Sequence, residues 1–63
     1  MKKELNKMNI KINYLIVNKE HKEWRNFRIL REYDNGIWEI IGERGVRTLF
    51  DNELNFWELS EDN

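Results

Sequence analysis

Phe27-Arg28-Ile29-Leu30-Arg31-Glu32-Tyr33-Asp34-Asn35-Gly36-Ile37-Trp38-Glu39-Ile40-Ile41 is the stretch on which the reading of the chain turns. Two apolar-rich runs flank Asp34-Asn35-Gly36. Asn and Gly tolerate the positive φ that tight turns require, so the stretch reads as a β-hairpin. Turn length then sets the register. A three-residue loop, Asp34 to Gly36, puts Tyr33 opposite Ile37, Arg31 opposite Glu39 and Ile29 opposite Ile41. A two-residue Asn35-Gly36 turn puts Tyr33 opposite Trp38 and Glu32 opposite Glu39. Like charges directly across a ladder are unfavourable, which favours the first register.

Upstream, residues 9–18 (NIKINYLIVN) read as a first strand. Ile10, Ile12, Tyr14 and Ile16 alternate onto one face, with Leu15 and Val17 on the other. Residues 19–23 form a solvated connection in which His21 is an exposed loop histidine. Residues 19–33 admit two readings. As a helix, Asn18 is the N-cap, Glu20 and Glu23 lie in the first turns, and Arg28 and Arg31 lie near the end. The stripe Trp24, Phe27, Leu30, Tyr33 nevertheless rotates by about 180° around such a helix. As a strand, Phe27, Ile29 and Tyr33 share one face, and this reading is preferred.

Downstream, Gly42-Glu43-Arg44-Gly45 is a turn and Val46 to Phe50 a strand. Asp51 to Asn55 forms one helical turn capped by Asp51, and Phe56 to Leu59 returns as a short last strand. The expected organisation is a flexible N-terminus at 1–8, one small β domain at 9–59, and a mobile acidic tail at 60–63. Met8 could begin an equally complete domain. The fold class is mainly β: a small five-stranded barrel or curved antiparallel sheet with one short helical turn. The alternative is α+β, with a helix at 19–33 packed on the sheet.

The run Leu49-Phe50-Asp51-Asn52-Glu53-Leu54-Asn55-Phe56-Trp57-Glu58-Leu59 resembles the end of the SH3-like small barrels. There a strand ending in Phe leads through a 3₁₀ turn into a short last strand. The resemblance implies a small-barrel architecture and covers the last fifth of the chain. The chain has no proline, its turn is longer, and it lacks the Ala-Leu-Tyr-Asp-Tyr run and the tandem Trp pair. The polyproline groove of that family is therefore not implied. Folds of this size serve many functions.

At 63 residues the chain holds one domain with a small core. It has no cysteine and one histidine, which removes disulfides, thiolate metal sites and a histidine-based zinc site. No run of about 20 apolar residues and no signal-peptide pattern occurs, so a cytoplasmic location is expected. The many Asn, Lys, Glu and Ile residues match coding by AT-rich genomes, such as those of Gram-positive bacteria and their phages. Ser60 is the sole serine and Thr48 the sole threonine. No Ser-His-Asp set can be assembled, Gly42-x-x-Gly45 is too short for a phosphate loop, and a sugar-sized cleft is hard to form. A non-enzymatic protein with no cofactor is expected.

Charge is segregated. Residues 1–31 carry nine Lys or Arg against three Glu, and residues 32–63 carry two Arg against nine Asp or Glu. The halves can neutralise each other across a sheet, or they can present faces to partners. With three Trp in so small a chain, a half-exposed Trp beside Arg suggests a protein-binding hot spot. Trp38 and Trp57 are assigned to the core. The leading expectation is a small phage-type or mobile-element-type protein that engages or inhibits a host protein. Its candidate contact residues are Trp24, Arg25, Arg28, Arg31, Arg44, Arg47, Glu39 and Glu43. The alternative is an SH3-like nucleic-acid binder using the basic run from Lys19 to Arg31, with Trp24 stacking on a base. Open strand edges and a marginal core also favour a homodimer.

Overall fold

The computed structural model describes residues 3–21 and 23–63. Within it, Gly36 adopts φ 94° and Asn35-Gly36 closes the central hairpin as a two-residue turn. The strands are β1 (Leu15–Asn18), β2 (Phe27–Asp34), β3 (Ile37–Gly42), β4 (Gly45–Phe50) and β5 (Trp57–Leu59). A 3₁₀ helix, Asp51–Phe56, links β4 to β5. All pairings are antiparallel, in the order β4-β3-β2-β1-β5. The chain is mainly β, and the sheet is curved but not closed, because β4 and β5 end the order unpaired with each other. Residues 27–34 are strand, so the helical alternative over 19–33 does not hold. No helix among the described residues is long and apolar enough to cross a membrane.

The hairpin register combines features of both expected registers. Arg31 faces Glu39, yet Asp34 faces Ile37 and Ile29 faces Ile40. The expected pairs Tyr33–Ile37 and Ile29–Ile41 are therefore corrected. The register shifts twice, at Leu30 and at Tyr33, each an extra residue on β2. A two-residue turn matches strand twist best, and each bulge restores one residue of offset. The bulges also break the expected shared face. Ile29 is fully buried, whereas Tyr33 is half exposed.

The first strand is shorter than expected. Asn13 takes φ 73°, which interrupts any ladder running from residue 9. Ile10 and Tyr14 pack against the core, Ile12 is exposed, and only Leu15–Asn18 is strand. Asp51 is not the cap of the helical turn. It is the first 3₁₀ residue, its N–H donating to Gly36 O at 2.8 Å, and Phe50 stands at the cap position. Phe56 belongs to that helix rather than to the last strand. Gly42 is required by close approach, since a Cβ there would lie 2.7 Å from the Phe27 ring.

Described residues near both ends of the chain bond to the sheet. The tail expected to be mobile turns back on β1, where the Asn63 side chain accepts from Leu15 N at 2.6 Å and donates to Leu15 O at 2.8 Å. Within the segment 1–8 expected to be flexible, Lys3 to Leu5 bond to β5, while Met1 and Lys2 lie outside the described residues. Leu5 N donates to Trp57 O at 3.0 Å and Leu59 N donates to Lys3 O at 2.7 Å. This short segment lines the outer edge of β5. Leu5 is 2% exposed and joins Ile16, Ile29, Ile40, Leu49, Leu54, Trp38 and Trp57 in one core. A domain beginning at Met8 would lack that side chain.

Leu5→Ala is therefore expected to lower stability by about 2–5 kcal/mol in urea unfolding. Met8→Ala, at a side chain 89% exposed, is expected to stay within about 0.5 kcal/mol. Equal effects of the two would show that Leu5 is not a core residue.

Candidate functional site

The connection from β1 to β2 is shaped by asparagines. Asn18 is 5% exposed, and its Oδ1 accepts from the N–H groups of Glu20 and His21 at 2.9 and 2.8 Å. It thus caps a turn and not a helix. Asn18 N–H donates to Trp24 O at 2.8 Å, which closes the loop. Asn26, at φ 60°, turns the chain into β2. Trp24 is thereby held half-buried at the loop's end. Its ring stacks on Trp57 with centroids 6.3 Å apart and an interplanar angle of 18°. His21 lies 4.3 Å from it on the loop side.

Arg47 approaches Trp24 from β4. It pairs with Ile40, so its side chain leaves β4 on the core side of the sheet. Its guanidinium carbon sits 4.0 Å from the Trp24 ring centroid. Such a cation–π contact contributes about 0.5–2 kcal/mol, depending on desolvation. Between the loop and the β3–β4 turn lies a cleft of about 370 Å³. Trp24 and Phe27 supply its aromatic wall, Arg25, Arg44 and Arg47 its cations, and Glu23 and Glu43 also line it. Among the described residues, none of these three arginines forms an ion pair.

Five of the eight expected contact residues meet here: Trp24, Arg25, Glu43, Arg44 and Arg47. The other three lie elsewhere. Arg28 donates to Asn13 O at 2.8 Å and braces the turn before β1. Arg31 Nε binds Glu39 Oε1 at 3.0 Å, and Tyr33 O–H donates to the other oxygen of Glu39. Of the expected basic run, Lys19 bonds Glu4 at 2.8 Å and Asn55 O at 3.3 Å, while Lys22 lies outside the described residues. Sequence reasoning missed His21 as a neighbour of Trp24. The pair of asparagines bracketing the loop was the available signal, since both favour turn conformations.

The chain matches no protein-family profile, no curated protein and no solved structure.

Arg47→Ala should uncover Trp24 and lower stability by about 1 kcal/mol. Trp38 and Trp57 are 5% and 2% exposed, so a soluble quencher reports mainly on Trp24. Quenching should rise in the variant; unchanged quenching would show that the guanidinium does not cover the ring.

The hydrogen bond to Glu39 also raises the Tyr33 phenol above its ordinary value of 10.0. A raised acid pKa stabilises the fold fully below the unfolded value. That contribution is lost as pH climbs from about 10 through the folded pKa. A tyrosinate absorbance titration should show a late-ionising phenol that Glu39→Gln shifts downward. An identical titration in the variant would show that Glu39 does not hold the proton.

Proposed function

We propose that the chain is a small non-enzymatic binding module of SH3-like type. It engages an acidic segment of a protein partner in the Trp24 cleft. The carrying observation is that Arg25, Arg44 and Arg47 line one cleft with Trp24, Arg47 lying over its ring, and that none of the three has a carboxylate partner among the described residues. Guanidinium groups make forked hydrogen bonds to carboxylates, and Trp and Arg dominate protein-binding hot spots. The SH3-like reading is supported by the strand order and by the 3₁₀ helix entering β5. With no proline motif in the chain, a polyproline groove is not carried over.

The second reading, single-stranded nucleic acid, is favoured by one feature of the same site. Three arginines line one cleft with Trp24 and Phe27, which also suits phosphate contacts beside an aromatic wall.

Trp emission titrated with a Glu-rich peptide, and separately with a single-stranded oligonucleotide, tests both. The peptide should perturb the emission, and Arg25→Glu with Arg44→Glu should weaken its binding by at least about tenfold. A response to the oligonucleotide alone, falling steeply with salt, would replace the first reading with the second. No response to either would remove the cleft as the binding site.

A further inference from the structure

An open sheet has two edges, and here they differ. The outer edge of β5 is occupied by Lys3 to Leu5. β4 ends the strand order on the other side, and among the described residues nothing pairs with it. Proteins protect such edges with bulges, prolines or projecting charges. β4 pairs with β3 in continuous register without a bulge, and contains no proline. Its one charge, Arg47, lies back over Trp24.

The direction of the free backbone groups follows from two bonds. Asp51 N–H donates toward the hairpin, to Gly36 O, whereas Phe50 N–H turns away to the Glu53 carboxylate at 3.2 Å. By antiparallel alternation, the N–H and C=O groups of Val46 and Thr48 also point off the edge. On the outer face above them, Val46 is 58% exposed and Phe50 is 47% exposed.

We propose that the β4 edge pairs antiparallel with β4 of a second copy, about a two-fold axis at Thr48. In that register Thr48 faces Thr48, and Val46 faces Phe50 of the second copy twice over. β-Branched–aromatic and Thr–Thr pairs are favourable across a ladder. The register centred on Arg47 would instead set two arginines opposite each other. The Val46–Phe50 and Thr48–Thr48 pairs are thus complementary to themselves under the two-fold, as an isologous dimer requires. The proposal does not depend on what the Trp24 cleft binds.

Sedimentation of the full chain over a concentration series tests it. A strand edge covers less than the roughly 800 Å² per partner of a standard interface, so a concentration-dependent dimer is expected by about 1 mM. Val46→Lys and Phe50→Glu should each be monomeric with unchanged circular dichroism. Mixing these two variants should restore a dimer, because the Lys of one then faces the Glu of the other. A wild-type chain that stays monomeric would overturn the proposal and leave the edge to an extended segment of another protein. A dimer that survives either single variant, or a mixture that fails to associate, would also overturn it.

Discussion

The burial of Trp57 holds the open side of this sheet together. Its ring is 2% exposed, meets Phe27 edge-on at 5.5 Å and stacks on Trp24 at 6.3 Å. Its backbone accepts from Leu5 and pairs with Asn18. One residue thus joins the N-terminal segment, β1, β2 and the loop carrying the candidate site. A Trp side chain buries about 150–250 Å², worth about 4–6 kcal/mol at 25 cal/mol per Å², an upper figure for folding. The whole stability of a domain this size is of the same order, about 3–9 kcal/mol. Trp57 therefore accounts for a large share of the fold's stability, and the cleft inherits its shape from the core.

The central hairpin shows which of two forces sets register. Opposing charges selected the right partner for Arg31, but that pair is largely exposed on the arginine side, and such pairs are worth about 0–1 kcal/mol. Burying Ile29 and Ile40, both 0% exposed, is worth about 1.5–3 kcal/mol each. A slip of one residue would move one of them to the outer face. The turn and the core therefore impose the register, and the bulges at Leu30 and Tyr33 absorb the mismatch. The Arg31–Glu39–Tyr33 network is a consequence of that geometry.

This explains what could be read in the chain beforehand. Asn35-Gly36 and the paired glycines at 42 and 45 announce turns by local chemistry, so the hairpins of β2, β3 and β4 were legible. The Trp24, Phe27, Leu30, Tyr33 stripe, which no single helix face can hold, decided strand over helix. Bulges leave no comparable mark, because Leu30 and Tyr33 are ordinary strand residues whose extra position depends on what lies across the ladder. The contacts of Leu5 and Asn63 were not legible for a related reason. Both sit in polar surroundings near the ends, and only the exposed edge of β5 and the free backbone of Leu15 give them partners. Trp24 and its arginines were legible as composition. Their convergence was not, because Arg44 and Arg47 reach the loop only through the fold.

The division of charge along the chain is a poor guide to its surface. Arg31 of the basic half meets Glu39 of the acidic half, and Lys7 meets Asp51. Folding thus cancels part of the segregation. The cleft draws Arg25 from one half and Arg44 and Arg47 from the other, so its positive character is created by tertiary structure. A chain with formal net charge −1 can still present a local cluster of guanidinium groups. Within a Debye length of about 8–10 Å such a cluster acts on a ligand before the distant carboxylates do. Near-neutral net charge therefore does not argue against anion recognition here; recognition follows from which arginines the fold leaves unpaired.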